Sequence, residues 1–414
     1  MSAQETTFQL PVRGGASDVD RVMNASAGVL NLAPAWVPRA FCTPGRRLRL
    51  HPDDYYPFAK GRGGIDERWL GCAIRADNGP GTGPYEGLSL AVSPDGTLVP
   101  FDEIVAEAGA AVVGARIWDE HRSWPAYSKF YDNLLPLPFH MHPMDRDMVP
   151  IGKKGKPEAY YYSPQMNNYL GEQSITYLGL CPDTTRDQIV QALTRHRRGG
   201  DNRITDYAPA YRTRLGEGWD VPAGVLHAPS SVCTYEPQAA SDVLSMFESW
   251  SNNMEVGEDL LWKDVPPDHR GDLDYLVSMV DWDANADPQF HAHRALCPWE
   301  TDFSKAHGAP DFVEKWIVYK STAFSAKELT VNPGRSAEID EEDAYGLICV
   351  QGHGTIDAQP LAAITTVRID ELTFDEYFVT AEAAKRGVRI ENQDARQPLI
   401  VLKHFGPGNV ELGL

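Results

Sequence analysis

Short strand-like stretches, separated by turn-forming residues, limit what this chain can fold into. The chain has 35 glycines and 31 prolines spread over 414 residues. Apolar or alternating runs lie between them: SITYLGL (174–180), KWIVYKS (315–321), YGLICVQG (345–352), AAITTVRI (362–369) and PLIVLKHF (398–405). Short strands with frequent turns are typical of β-sandwiches and β-barrels. We therefore predict a mainly β fold.

Helical patterns are fewer. The best covers residues 182–200, where Thr184 or Thr185 can cap the N-terminus and a Gly-Gly pair ends the pattern. A second helix is predicted within 93–114, beginning near Phe101, and a short helical turn within 374–387. We expect these helices to be insertions in a β framework.

The length of the chain suggests two or three structural units, at a prior of about 150 residues each. Residues 250–310 are acidic, with many polar turns, and no clear period. We interpret this segment as an irregular linker between a first unit, residues 1–249, and a second unit, residues 311–414. The second unit has enough strand-like stretches for a small barrel of its own.

Charge and composition exclude several classes of partner. The formal net charge of −20 argues against binding to nucleic acid or to an anionic membrane. No apolar run approaches the ~20 residues of a membrane span, and the first residues do not have the pattern of a secretory signal. The six cysteines are scattered without a C-x-x-C pair, which is typical of reduced thiols in a cytoplasmic protein.

Four distant side chains form a candidate metal site. His140 and His142 end the apolar run LPLPFHMHP, and a spacing of two places both on one face of a strand. Glu158 follows a glycine- and lysine-rich turn, and His227 follows the tight turn VPAG. Inward-facing side chains of antiparallel strands can converge inside a barrel. Three imidazoles and a carboxylate suit zinc, manganese, iron, cobalt or nickel.

The motifs around these residues occur in a familiar order. They resemble those of the cupin superfamily and, within it, of the type I mannose-6-phosphate isomerase family, over roughly residues 60–245. The motifs that carry the resemblance are DERWLG (66–71), YSKFYDNLLPLPFHMHP (127–143), GKPEAYYY (155–162) and VPAGVLHA (221–228). The resemblance implies two cupin (jelly-roll β-barrel) domains with a few helices inserted. It also implies one divalent metal ion in the N-terminal barrel, with zinc as first choice, and a small carbohydrate as substrate.

The resemblance also implies catalytic residues. The family has a glutamate nine residues after the histidine of its P-A-G-x-x-H-A motif, and Glu236 stands at that spacing from His227. Lys156 lies two residues before Glu158, so on a strand it would point to the same side. We expect both to line the pocket of an aldose–ketose isomerase that acts through an enediolate, where either Lys156 or Glu236 could be the base, or Glu236 could pair with Lys156.

Two departures from the family pattern concern the ligands and the substrate. The first ligand is commonly glutamine in the family, whereas this chain has His140. Some members have an arginine about ten residues after the glutamate, and here that position is Met246. Phosphate esters bind best where arginine or lysine donors converge, so a free sugar is as good a candidate as a sugar phosphate.

Two other functions remain open from the sequence. One is a cupin oxygenase or lyase that uses the same ligands with iron or manganese. The other is a non-catalytic cupin that binds a sugar. The second barrel, which lacks an obvious metal site, could cover the first barrel or form the contact of a homodimer. A second H-x-H pair, His291 and His293, lies in the linker and is expected to be structural or at the rim of a pocket.

Overall fold

The computed structural model describes residues 10–58, 61–167 and 174–413. Its strands form antiparallel sheets, which confirms the mainly β prediction. A five-stranded sheet has, in spatial order, strands Ala210–Arg212, Ile175–Leu178, Leu226–Ala228, His140–Met141 and Ser245–Met246. A seven-stranded sheet has strands Ala295–Leu296, Gly218–Val221, Glu158–Tyr161, Thr234–Ala239, Ala126–Tyr131, Gly64–Leu70 and Ala35–Arg39.

Two further sheets are built largely from the last third of the chain. The larger has nine strands: Trp299–Glu300, Phe312–Val318, Ser325–Val331, Leu399–Phe405, Tyr345–Gln351, Glu376–Val379, Val29–Ala33, Leu90–Val92 and Leu98–Pro100. The smaller has four strands: Ser336–Ile339, Val388–Asn392, His353–Ile356 and Gln359–Ala362. A separate hairpin pairs Trp250–Ser251 with Met254–Glu255.

The sheets stack in four layers, in the order five-, seven-, nine- and four-stranded. Because side chains alternate along a strand, each large sheet contributes to two cores. In the seven-stranded sheet, Tyr160 packs with Leu178 of the five-stranded sheet, whereas Ala159 and Tyr161 pack toward the nine-stranded sheet. The nine-stranded sheet shares a third core with the four-stranded sheet. The first two sheets thus form one sandwich and the last two a second, in agreement with the predicted pair of cupin barrels.

One N-terminal strand joins the second sandwich. Val29–Ala33 lies in the nine-stranded sheet, where Leu30 is paired with Phe378 and Leu32 with Ala91. The chain then enters the seven-stranded sheet at Ala35–Arg39. The first 100 residues therefore contribute strands to both sandwiches, and the division at residues 249 and 311 stays a prediction.

Helices lie outside the sandwiches. They span Ala16–Ser26, Phe101–Ala108, Ala110–Val113, Ala115–His121, Asp145–Met148, Arg186–His196, Glu258–Leu261, Leu273–Ser278, Trp282–Asn285, Phe290–Arg294, Asp302–His307 and Ala381–Arg386, and short 3-10 turns span Pro52–Asp54, Val149–Ile151, Ile204–Tyr207, Pro267–His269 and Val410–Leu412. Arg186–His196 begins at a capping box formed by Thr185 and Gln188, as the sequence predicts. Within the described ranges, every helix is too short or too polar to cross a bilayer.

Two local predictions differ from the structure. The segment 250–310 contains helices, because Asp272 and Asp281 cap two of its short turns and their apolar side chains pack on the outer face of the five-stranded sheet. The stretch 362–369 is wrong as a strand: the observed strand ends at Ala362. Its alternating residues pack against the core between the seven- and nine-stranded sheets. Its backbone forms one isolated β-bridge, between Val367 and Leu50.

Candidate metal centre

Three imidazoles converge between the five- and seven-stranded sheets. His140 and His227 lie directly opposite each other on adjacent antiparallel strands, and their ring centroids are 4.1 Å apart. His142 follows two residues after His140, on the same face, with its ring centroid 5.1 Å from that of His227. One nitrogen from each ring lies within 4.8 Å of the other two, and all three residues are buried. This cluster can hold a metal ion.

The turn before His227 fixes the spacing of these strands. Gly224 has a φ of +84°, which favours glycine, and an added Cβ would lie 2.9 Å from Met144 and 3.0 Å from Asp281. Its N–H donates to the carbonyl of His142 at 2.7 Å. The P-A-G sequence therefore joins the strand of His227 to the end of the strand of His140.

Backbone carbonyls orient each imidazole. The Nδ1 atoms of His140, His142 and His227 lie 2.7, 2.6 and 2.8 Å from the carbonyl oxygens of Pro138, Val243 and Val225. Since a carbonyl can only accept, Nδ1 carries the proton in each ring and Nε2 is left as the free electron-pair donor. Metal-binding histidines are commonly oriented by such a hydrogen bond from the other ring nitrogen.

Glu158 completes the ring of donors. Its Oε2 is 2.8 Å from His142 Nε2, and its Oε1 is 3.3 Å from His227 Nε2. The Tyr160 hydroxyl donates to Oε1 at 2.7 Å. Burial acts to raise the pKa of Glu158, but the charge of Lys156 acts against burial, and the pKa lies well below its usual value. Glu158 is therefore a carboxylate.

The contacts of this carboxylate with the imidazoles call for a cation. Burial and the charge of Lys156 lower the pKa of His142 to about 4, so its ring is neutral at neutral pH. Its Nε2 then has no proton, although it lies 2.8 Å from a carboxylate oxygen. His227 Nε2 likewise is buried without a hydrogen-bond partner among the described atoms. The Lys156 ammonium supplies positive charge to Glu158 Oε2 and His142 Nε2, whereas His227 Nε2 has no donor among the described atoms, so the buried set fits a divalent metal ion.

Lys156 and Glu236 both lie beside these donors. The Lys156 ammonium is 3.0 Å from Glu158 Oε2 and 3.1 Å from His142 Nε2. It is also 3.8 Å from Glu236 Oε1. Burial and the charge of Glu158 raise the pKa of Glu236 to about 8. The structure thus brings together all six side chains that the sequence singles out.

A second lysine was not assigned a role from the sequence. The ammonium of Lys129, on strand Ala126–Tyr131, is 3.1 Å from both Glu236 Oε1 and Glu67 Oε1. Glu67 also pairs with Arg39 at 3.1 Å. The inner face of the seven-stranded sheet therefore carries a row of alternating charges that ends at the metal site. The lysine in YSKFYDN, at a spacing of two from the buried Tyr127 and Tyr131, could have indicated this inward position.

Position 246 places an uncharged side chain at the site. Met246 lies directly opposite His140 on the neighbouring strand and lines the same cleft. It is buried, at 1% exposure. By contrast, His291 and His293 lie on helix Phe290–Arg294, where both are exposed and His293 pairs with Asp287 at 2.6 Å.

The sandwich and its buried histidines define a cupin-fold protein with a candidate metal centre. Solved structures of mannose-phosphate isomerases have this fold. Mannose 6-phosphate isomerase from Bacillus subtilis is 15% identical, with a TM-score of 0.61 over 91% of this chain and 99% of that chain. A point mutant of phosphomannose isomerase from Salmonella typhimurium is 11% identical, with a TM-score of 0.62 over 92% of this chain and 100% of that chain.

At these identities the likeness concerns the fold. No family model matches the sequence, and no curated protein matches it. The structural likeness extends through both sandwiches, because it covers nine-tenths of the chain. It therefore includes the C-terminal part, where the sequence motifs are weakest.

Proposed function

We propose that the protein is a metal-dependent aldose–ketose isomerase. The observation that carries the proposal is the cluster of three buried imidazoles beside the Glu158 carboxylate, with a lysine and a second glutamate next to them. The similar structures are of isomerases of mannose phosphate, which supports the same class of reaction. The substrate is a small carbohydrate.

His140, His142, Glu158 and His227 would hold one divalent ion, with zinc as first choice and manganese, iron, cobalt or nickel as alternatives. When bound, the ion supplies Lewis acidity that polarises the sugar carbonyl and stabilises negative charge on its oxygen. The backbone carbonyls that accept from the three Nδ1 atoms keep the rings in position for this role.

Glu236 is the proposed base. It would take the proton from carbon two of the aldose and return it to carbon one, while the hydroxyl proton on carbon two passes to the oxygen on carbon one, which interconverts aldose and ketose. A pKa of about 8 places the group close to neutral pH, where one carboxyl can both accept and release a proton. The buried position of Glu236 keeps bulk water away from the transferred proton, since only 2% of its surface is exposed.

The two lysines have separate roles in this proposal. Lys156, between Glu158 and Glu236, would donate hydrogen bonds to the sugar oxygens as negative charge develops on them. Lys129 would hold the Glu236 carboxylate in place, because its ammonium pairs with that group on one side and with Glu67 on the other.

The test is elemental analysis of the purified protein, combined with proton–deuterium exchange at carbon two of free and phosphorylated aldoses. We expect about one equivalent of metal per chain and exchange at carbon two together with ketose formation. Bound iron with oxygen consumption and no exchange would instead favour a cupin oxygenase. Retained metal with no turnover of any sugar would favour a non-catalytic sugar-binding protein.

A further inference from the structure

A large chamber adjoins the metal cleft. The cleft itself has a free volume of about 20 Å³, enough for roughly one water molecule. The chamber has a volume of about 490 Å³ and shares Arg39, Phe41 and Leu244 with the cleft. A sugar whose carbonyl end reaches the metal donors must therefore place the rest of its chain in this chamber.

The cations that line the chamber are already paired with carboxylates. Arg39, which is 3% exposed, forms two hydrogen bonds with Asp242, at 2.9 and 3.2 Å. Arg62 forms two with Glu86, at 2.6 and 2.7 Å.

Lys263 is engaged in the same way. Its ammonium donates to the carbonyl of Asp242 at 3.0 Å and lies 3.5 Å from the carboxylate of Asp77. Among the lining residues that the structure describes, each cation thus has its charge balanced by an acid of the protein.

Carboxylates also reach the chamber directly. Asp77 and Asp259 line it and are exposed. A phosphate ester requires converging donors whose charge is not already neutralised, and it is repelled by nearby carboxylates. Met246 supplies no cation on the metal side, and the net charge of −20 disfavours the approach of an anion.

The lining instead matches a neutral polyhydroxy compound. Sugar hydroxyls can donate to the carboxylates of Asp77 and Asp259 and accept from guanidinium groups. Phe41, Leu244 and Leu260 provide apolar surface for the C–H faces of the sugar. We propose that the chamber binds an unphosphorylated sugar and discriminates against its phosphate ester. This inference rests on the proposed isomerase function for the position of the carbonyl end.

Titration calorimetry of the purified, metal-containing protein tests the inference independently of turnover. The probes are D-mannose, D-glucose and D-xylose, each compared with its terminal phosphate ester, together with inorganic phosphate. We expect at least one free sugar to bind about tenfold or more tightly than its ester. Tighter binding of an ester, or no binding of any free sugar, would overturn the inference even if carbon-two exchange is observed. Conversely, preferential sugar binding without exchange would overturn the isomerase proposal alone.

A charge variant tests the physical cause. In Asp77→Asn/Asp259→Asn, both substitutions are at exposed positions, so the fold should be retained. We expect the preference for the free sugar to fall about threefold or more, because repulsion of the ester is reduced. Glu86→Gln, which removes the partner charge of Arg62, should act in the same direction. Glu382→Gln, at an exposed position of helix Ala381–Arg386, is the matched control. An unchanged preference in both chamber variants would overturn the electrostatic explanation.

Discussion

Lys129 and Glu236 lie directly opposite each other on adjacent antiparallel strands, with Nζ 3.1 Å from Oε1. Both residues are buried, at 6% and 2% exposure. Burial would otherwise exclude a charged carboxylate, and the ammonium across the strand offsets part of that cost. The pair thus places, beside the metal donors, an acid whose two protonation states are both accessible near neutral pH.

Glu236→Gln should abolish proton transfer without loss of metal. The amide keeps the shape of the side chain but cannot act as a base, so we expect kcat to fall by about 10²- to 10⁴-fold. Carbon-two deuterium exchange and elemental analysis on the same sample measure the two properties. Glu217→Gln, just before strand Gly218–Val221, is the control, because that carboxylate pairs with Arg214 instead of a site residue. Full exchange activity in Glu236→Gln would show that another group is the base.

Lys156→Ala should lose activity while its metal content stays normal. The ammonium contacts a ligand carboxylate and Glu236, but it is not itself an electron-pair donor in the proposed set. We expect kcat to fall by about 10²-fold or more because charge on the sugar oxygens is no longer stabilised. A variant with wild-type kcat would refute the proposed role, and a variant without metal would reassign Lys156 to the assembly of the site.

His227→Ala should remove the metal. The residue provides one of three imidazole donors, and we expect metal affinity to fall by about tenfold or more. Competition with a chromogenic chelator measures the affinity. His293→Ala is a matched control, because that histidine belongs to the exposed H-x-H pair. Equal metal loss in the two variants would contradict the assigned site.

Tyr160→Phe should weaken the metal site through Glu158. The Tyr160 hydroxyl donates to Glu158 Oε1, and a lost hydrogen bond to a metal-binding carboxylate typically costs about 10- to 100-fold in affinity. Tyr162→Phe is the control in the same stretch of chain, since its buried hydroxyl interacts with Thr176 and Ser230 rather than with Glu158. The same chelator competition distinguishes the two. Unchanged affinity in Tyr160→Phe would mean that Glu158 is held by its other contacts.

Glu376→Gln should make the stability less dependent on pH. Burial raises the pKa of Glu376 to about 8. The positive charge of Arg68 acts against this shift, and the Asp375 carboxylate acts in the same direction as burial. The contribution of Glu376 to stability is therefore complete below the unfolded pKa of about 4.3 and is lost as pH rises through about 8. Between pH 5.5 and 8.5 the wild type should lose roughly 1 kcal/mol or more of unfolding free energy relative to Glu376→Gln. Urea titrations at both pH values, with Glu382→Gln as control, measure the difference; parallel losses would contradict the assignment.

The residues of the candidate site could be singled out from the sequence because they lie in local patterns. The spacing of His140 and His142, and of Lys156 and Glu158, sets the facing of each side chain on its strand. The turn that precedes His227 also has a local cause, the left-handed conformation of Gly224. A role for Lys129 was harder to predict, because it depends on Glu236 on the adjacent strand rather than on the sequence neighbours of Lys129.

Long-range features were not accessible in the same way. The balance of charge in the chamber depends on contacts such as that of Arg39 with Asp242, which are 203 positions apart. The stretch 362–369 has the alternation of a strand, yet after Ala362 only Val367 has a β-bridge partner, Leu50. An alternating pattern indicates that every second side chain is buried, and a packed irregular segment can show the same pattern as a strand.

The pairing of Val29–Ala33 with Glu376–Val379 has a practical outcome for anyone who divides the gene. A fragment that stops before residue 311 would leave the apolar strand edge at Leu30 unpaired, and a fragment that starts there would lack four of the nine strands of its largest sheet. Such exposed edges promote aggregation. Neither half is expected to be recovered as an independent folded product; co-expression of both pieces is the arrangement under which they could reassemble.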